Sequence, residues 1–226
     1  MKVNRVPRLP RKRLLVVDDH PMMRQGLAQL IGNEEDLEVS AEAENGAQAI
    51  AAINLDRPDL VLADISLPDK NGLELIKDVQ ALHPGLPMLV ISMHDESLYA
   101  ERVLRAGGRG YIMKQEGGKK LMEAIRRVLN GQIYVSERMA SRILEVFSGR
   151  PIEKSANPVG SLSDREFEVF QWLGQGKGTR EIAAQMHLSV KTVEVHRANI
   201  KRKLGLKSAP ELVRCAVQWA EADRSS

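Results

Sequence analysis

The sequence predicts two domains of different class, a parallel α/β domain followed by a small all-helical one. Over residues 13–130, short apolar runs alternate with helical patterns five times. Beyond residue 160 the apolar positions recur only at helical spacing, with no strand-like run among them. A chain of 226 residues is long enough for each domain to bury its own core.

The strands are expected near 13–18, 37–43, 59–64, 86–92 and 109–113, and the helices near 21–32, 45–55, 71–82, 96–106 and 117–130. Repeats of this length imply right-handed crossovers, with helices on both faces of the sheet. Leu67-Pro68 and Asn71-Gly72 punctuate the loop after the third strand, and Pro84 and Pro87 separate the third helix from the fourth strand. Residues 136–148 read as a further helix, and 148–158, with Gly149, Pro151, Ser155, Asn157 and Pro158, as a flexible connection. The expected division is therefore a basic arm at 1–13, an α/β domain at 13–135, a linker at 136–160 and a helical domain at 161–226.

Charge divides the chain the same way. The first thirteen residues carry six Lys/Arg and no acid, residues 14–135 twelve against nineteen, and residues 161–226 eleven against eight. An acidic front and a basic rear suggest two tasks, with nucleic acid a partner for the rear alone. No apolar run is long enough to span a bilayer, so no membrane partner is expected. The arm, interrupted by Pro7 and Pro10, does not read as a signal peptide. The single cysteine, Cys215, fits a reducing cytoplasm.

The chemistry lies at the strand ends. Leu14-Leu15-Val16-Val17 runs into Asp18-Asp19, Asp59 to Ala63 into Asp64, Met88 to Ile91 into Ser92, and Tyr111-Ile112-Met113 into Lys114. In an open parallel sheet the carboxyl ends of the strands line one crevice, where ligands bind. A carboxylate can accept a phosphoryl group as an acyl phosphate. That transfer concentrates negative charge, so a hard dication is expected, and Mg2+ takes one or two carboxylates together with phosphate and water. Asp19 and Asp64 are the candidate ligands, with Asp18 acting directly or through water and the Ser66 carbonyl completing the set. Lys114 can pair with a phosphoryl oxygen, and the Ser92 hydroxyl can donate to another. Any one of these residues alone reads as a solvated turn; their joint placement at strand ends is what points to a site.

The segments Leu15-Val16-Val17-Asp18-Asp19-His20-Pro21, Ala63-Asp64-Ile65-Ser66-Leu67-Pro68 with Asn71-Gly72, Ile91-Ser92 and Tyr111-Ile112-Met113-Lys114 resemble the receiver domain of bacterial response regulators, over roughly residues 13–135. The resemblance implies a flavodoxin-like fold with strand order 2-1-3-4-5. It makes Asp64 the phosphoacceptor, Asp18 and Asp19 Mg2+ ligands, Ser92 and Tyr111 the switch hydroxyl and aromatic, and Lys114 the phosphate lysine. Gln115 stands where many receivers have proline.

In the rear domain Ser163-Asp164-Arg165-Glu166 is a capping box opening a helix with Phe167, Phe170 and Leu173. Thr179 is expected to cap a short helix carrying Ile182, Ala183 and Met186. A turn at His187-Leu188 follows, and Ser189 caps a longer helix burying Val193, Ile200 and Leu204. This is helix-turn-helix geometry, in which the second helix enters the major groove by its N-terminal end. Thr192 and Lys201, with Lys203 or Arg202, are candidate phosphate contacts. Lys191 can reach a guanine edge, Val195 a thymine methyl, and Glu194 a cytosine amino group. Arg197 lies near the buried stripe and is expected to snorkel or to pair with an acid. The run from Leu162 to Gly205 resembles the LuxR-type helix-turn-helix, and a receiver joined to it resembles the NarL/FixJ family. Positions 194 and 198, often Lys in relatives, are Glu194 and Ala198 here.

The resemblance implies a non-enzymatic regulator of a two-component phosphorelay. It would be phosphorylated by a sensor histidine kinase, dimerise on activation and bind double-stranded promoter DNA. Three rivals are weaker. A haloacid-dehalogenase-like phosphatase needs a second aspartate two residues after Asp64, where Ser66 stands. A vestigial receiver would not retain the acids and Lys114. An RNA-binding output lacks stacking aromatics on the basic helix.

Overall fold

The computed structural model of the chain describes residues 10–147, 158–186 and 188–224. Most of the expected arm (1–9), most of the flexible connection (148–157) and His187 lie outside the described residues. The chain forms two compact units, one of residues up to Ser92 together with Val103–Tyr134, the other of Met93–Arg102 together with the residues from Val135 onward.

The first unit is built on β1 (Lys12–Val17), β2 (Leu37–Ala43), β3 (Leu60–Asp64), β4 (Met88–Ser92) and β5 (Gly110–Met113). They pair in parallel in the order β2-β1-β3-β4-β5, as the resemblance implied. The inner strands read as continuous apolar runs because both faces of the sheet are covered. All five residues of β3 and of β4 are buried, as are Leu14 to Val17 of β1. The edge strand β2 is not buried throughout, with Leu37 and Ala43 buried, Ser40 and Glu42 exposed and the rest half-buried. Its helices are α1 (Pro21–Gly32), α2 (Gly46–Leu55), α3 (Gly72–Leu82) and α5 (Gly118–Leu129), while α4 (Glu96–Ala106) begins in the second unit and ends in the first. Leu27 and Ile31 of α1 pack with Leu121, Ile125 and Val128 of α5 in a core that includes Leu14, Val16, Leu62 and Ile91.

Lys12, expected at the end of the arm, belongs to β1 together with Arg13. The charge of each is matched by an acid preceding β3: Lys12 Nζ lies 2.9 Å from Asp59, and the Arg13 guanidinium pairs with Asp56. The Arg13 amide also donates to Asp59 at 2.8 Å.

The second unit contains α6 (Glu137–Phe147), a 3₁₀ turn at Pro158–Ser161, α7 (Asp164–Gly174), α8 (Thr179–Gln185), α9 (Val190–Leu204) and α10 (Ala209–Arg224). The capping box at α7 is present: Ser163 N donates to Glu166 Oε2 at 2.8 Å, and Glu166 N to Ser163 Oγ at 3.4 Å. Gly178, not Thr179, is the N-cap of α8, and its amide donates to the Glu181 carboxylate at 2.8 Å. Thr179 is thereby the first helical residue, and its hydroxyl accepts instead from Arg197 of α9. Ser189 caps α9 by accepting from Thr192 N at 3.0 Å, and Gly205 ends the helix at φ 67°, where only glycine is unstrained. Phe167 and Phe170 meet Trp219 of α10 at 5.5 and 5.7 Å between ring centroids. Gly174 has no room for a side chain, since a Cβ would lie 2.6 Å from the Ala216 carbonyl of α10.

Glu166 has a second partner beyond the cap: Lys203 Nζ of α9 lies 2.6 Å from its carboxylate. Burial opposes the charge on Glu166. Lys203 and the Ser163 donors more than offset it and hold its pKa below the ordinary 4.5. A carboxylate depressed on folding contributes stability above its unfolded pKa and loses it as pH falls through the folded one. Glu166→Ala should therefore lower the stability of the helical unit by about 2 kcal/mol at pH 7, through loss of the cap and of Lys203's partner. In urea unfolding followed by Trp172 and Trp219 fluorescence, the difference from wild type should shrink as pH falls below 4.5.

Candidate functional site

Each carboxyl end of β1, β3 and β5 delivers a charged side chain to one place. Lys114, just past β5, lies with Nζ 2.7 Å from Asp18 Oδ2 and 2.7 Å from Asp64 Oδ2. Asp18 and Asp64 are buried, and the Lys114 side chain is 5% exposed. The positions follow from the register. Val17 pairs with Ala63 and Ala63 with Val90, so Asp18, Asp64 and Ile91 stand side by side. Ser92 pairs with Met113, and the Lys114 amide donates to the Ser92 carbonyl at 2.7 Å. Ser92 and Tyr111 are both buried.

The loop after Asp64 is folded tightly. Ser66 N donates to Asp64 Oδ1 at 3.3 Å, Ser66 bridges to Asn71, and Gly72 N donates to the Ile65 carbonyl at 2.7 Å. Asn71 caps α3 by accepting from Leu73 N at 2.9 Å. A Cβ on Gly72 would lie 2.6 Å from the Asp64 carbonyl, so glycine is required for this close approach. Asp69 accepts from the amides of Gly46 and Ala47, each at 2.9 Å, and ties the loop to the start of α2.

Four residues could hold a metal ion here: Asp18, Asp19, His20 and Asp64 each place one ligand atom within 4.8 Å of the others. Three acids meet where one lysine pairs with two of them, which leaves an excess of two negative charges in the cluster, the count a dication neutralises. Asp19 Oδ1 is buried and has no hydrogen-bond partner. It lies 2.7 Å from His20 Nδ1, but off hydrogen-bond geometry. An orphaned buried carboxylate oxygen in an acid cluster fits a bound cation. The preponderance of oxygen donors suits a hard ion such as Mg2+.

Electrostatics agrees. Burial pushes the Asp64 pKa up, Lys114 only partly offsets this, and the nearby Asp18 charge adds to it. Burial opposes the charge on Lys114, but Asp64 and Asp18 more than compensate and raise its pKa, so the ammonium is charged at neutral pH.

In the second unit, α9 presents one face to solvent. Lys191, Glu194, Val195 and Ala198 are exposed, with Val195 54% exposed. Thr192 and Lys201 are half-buried, and the Thr192 hydroxyl lies 2.8 Å from that of Ser189. Val193 and Ile200 are fully buried on the opposite stripe, while Leu204 is only half-buried. Lys203 is not a free phosphate contact, because Glu166 and the Ser161 carbonyl hold its ammonium. Arg197 pairs with the Thr179 hydroxyl instead of an acid, fastening α9 to α8.

Comparison with known proteins decides the family. Residues 14–126 match the response regulator receiver domain, and residues 160–216 match the bacterial regulatory proteins of the luxR family. The oxygen regulatory protein NreC of Staphylococcus aureus is 35% identical over 210 residues, covering 91% of this chain and 97% of NreC. The chain belongs to the NarL/FixJ family of response regulators. It is a DNA-binding transcription regulator of a two-component system. Among solved structures, the RcsB response regulator of Salmonella typhimurium is similar at 25% identity and a TM-score of 0.72, covering 93% of this chain and 98% of that one. A structure of two RcsB dimers bound to two parallel DNAs is similar at 25% identity and a TM-score of 0.56, covering 90% and 97%.

The structure of this response regulator adds two residues that sequence reasoning did not assign to the site. His20 follows the acids directly, so adjacency was a signal. Arg24 of α1 donates to the Asp18 carbonyl at 2.6 Å, and its burial on a helix surface has no signature in the sequence.

Because the folded pKa of Asp64 is raised, its ionisation opposes folding at neutral pH. Asp64→Asn should raise the unfolding temperature at pH 7 in the absence of metal. The gain should vanish as pH falls below the unfolded value near 3.8, where the wild-type carboxyl is also neutral. Thermal unfolding monitored by circular dichroism across that range checks the sign.

Proposed function

We propose that this response regulator is switched on by phosphorylation of Asp64, with Mg2+ as cofactor and a sensor histidine kinase as phosphodonor. The observation that carries this reading is the cluster of Asp18, Asp19 and Asp64 around Lys114, with Asp19 Oδ1 left without a hydrogen bond. Asp18, Asp19 and Asp64, with the Ser66 carbonyl, would hold the ion, either directly or through water. When bound, Mg2+ offsets the charge that gathers on the phosphoryl oxygens.

A carboxylate oxygen of Asp64 attacks the phosphorus of a phosphohistidine. The P–N bond breaks, and the imidazole leaves with the electron pair. Asp64 is held for this by the β3 ladder and by the Gly72 turn, so its carboxylate does not reorganise during attack. Lys114 exchanges its contact with Asp64 for a phosphoryl oxygen as the carboxylate becomes an acyl phosphate. Ser92 donates its hydroxyl to another oxygen, and Tyr111 repacks as the loop after β4 follows Ser92. The added charge thus biases a two-state element.

The output is binding of promoter DNA by a dimer. Support comes from the exposed face of α9, from the RcsB dimers bound to DNA, and from α10, where Val213 and Val217 are only half-buried. Lys191, Glu194, Val195 and Ala198 face the base edges in this reading, while Thr192 and Lys201 contact phosphates. The domain limits proposed for these tasks are 13–135 and 161–226. No helix among the described residues is long and apolar enough to cross a membrane. The reading places the protein in the cytoplasm, where kinase and DNA are both accessible.

Sedimentation velocity with Mg2+, with and without beryllofluoride, tests the switch. Wild type should pass from monomer to dimer on adding beryllofluoride, and Asp64→Asn should remain monomeric. An Asp64→Asn variant that dimerises equally would sink the mechanism.

A further inference from the structure

We infer that Arg24 is a positioning residue for the metal and phosphoryl-transfer site. It acts through the Asp18 carbonyl and through the two carboxylates at the end of β2. The inference rests on the acid cluster being a Mg2+ site, as proposed above.

Arg24 lies one turn into α1 and is 8% exposed. Arginine is rarely buried unless its donors are used. Nη1 donates to the Asp18 carbonyl at 2.6 Å, Nη2 to Glu44 Oε1 at 2.6 Å, and Nε lies 3.5 Å from Glu42 Oε2. The β1–β2 register explains why these acids are near. Val16 pairs with Glu42, Val17 with Ala43, and the Asp18 amide donates to the Ala43 carbonyl at 3.1 Å. Glu44 therefore emerges beside Asp18-Asp19.

Two consequences follow for the acids. The Asp18 carbonyl shares a rigid peptide plane with the Asp19 amide, so fixing that carbonyl fixes the direction in which Asp19 leaves the strand. Asp18 is then held on both sides, its amide by Ala43 and its carbonyl by Arg24. Glu42 and Glu44 also bring two further negative charges to this edge, of which the guanidinium offsets one. A planar fork can serve a carbonyl and a carboxylate together; a lysine ammonium at the same place supplies charge without that geometry.

The test uses the full chain and its variants Arg24→Gln and Arg24→Lys. Mn2+ binding is followed by the paramagnetic resonance signal of the free ion, and Mg2+ affinity is obtained by displacement. Thermal unfolding without metal is recorded alongside. Arg24→Gln should weaken Mg2+ binding about 10-fold, the loss typical of groups that orient metal ligands. Arg24→Lys should recover unfolding temperature more fully than Mg2+ affinity. A folded Arg24→Gln protein with wild-type affinity would show Arg24 to be only a structural tie between α1 and β2, and would overturn the inference. Wild-type affinity in Arg24→Lys would also overturn it, because charge alone would then suffice. If Arg24→Gln does not fold, Arg24→Lys decides the matter by the same affinity. A wild-type protein that binds neither ion removes the Mg2+ site itself, a result distinct from a loss confined to the variants.

Discussion

The front unit depends on one constraint: three carboxylates meet where a single ammonium serves two of them. Lys114 at 2.7 Å from both Asp18 and Asp64 makes the cluster tolerable, but not neutral. Burial opposes the ionisation of Asp64, the like charge of Asp18 adds to it, and together they outweigh Lys114 and raise the Asp64 pKa. The fold sustains the arrangement because the inner strands are buried along their whole length. Their ends cannot slide without exposing a core that runs from Leu14 to Val128. The strain has a use. In the proposed function, surplus negative charge and a carboxylate oxygen without a hydrogen bond suit the pocket to a cation, and the lysine shared between two acids is placed to turn to a phosphoryl oxygen.

The rear unit applies electrostatics in the opposite sense. Its basic groups tie helices together, Lys203 by an ion pair with Glu166 and Arg197 by a hydrogen bond to the Thr179 hydroxyl. These contacts remove two of the basic groups on α9 from the surface role their charge suggests. What remains exposed near the N-terminus of the helix is a mixed set, Lys191, Glu194, Val195 and Ala198. In the proposed reading, the affinity of such a helix for DNA rests on orientation and few phosphate contacts, and its selectivity on base edges. This makes the rigidity of α8 against α9 part of recognition, since a misplaced helix cannot recover its register through long-range charge.

Much of this was legible in the sequence, for a definite reason. Strands buried on both faces read as unbroken apolar runs, and the residue that ends each run is where the ligand crevice lies. Asp64, Asp18, Ser92 and Lys114 could therefore be singled out before any coordinates. Order along the chain was sufficient because each site residue is local to its own strand. Partnerships between distant residues were not legible. Lys203 looks like a free basic residue until α7 is packed beside it, and Arg197, readable as near the buried stripe, finds a hydroxyl on α8 where an acid was expected. Arg24 looks like a solvated helix arginine until the β1–β2 register brings Glu42 and Glu44 to it. Thr179 looked like a cap because hydroxyls favour that position, yet Gly178 with Glu181 fills it. Lys12 read as arm because a charged start to a strand resembles a tail until Asp59 is seen opposite.

The central claim is that the charge surplus around Lys114 exists to receive a cation and a phosphoryl group at Asp64. The most direct test is to treat the protein with a small phosphodonor, with and without Mg2+, trap the acyl phosphate by borohydride reduction, and locate the modified residue by peptide mass spectrometry. One modification is expected, on Asp64, and it depends on Mg2+. Modification at another residue, or at Asp64 to the same extent after chelation of all divalent ions, would contradict it.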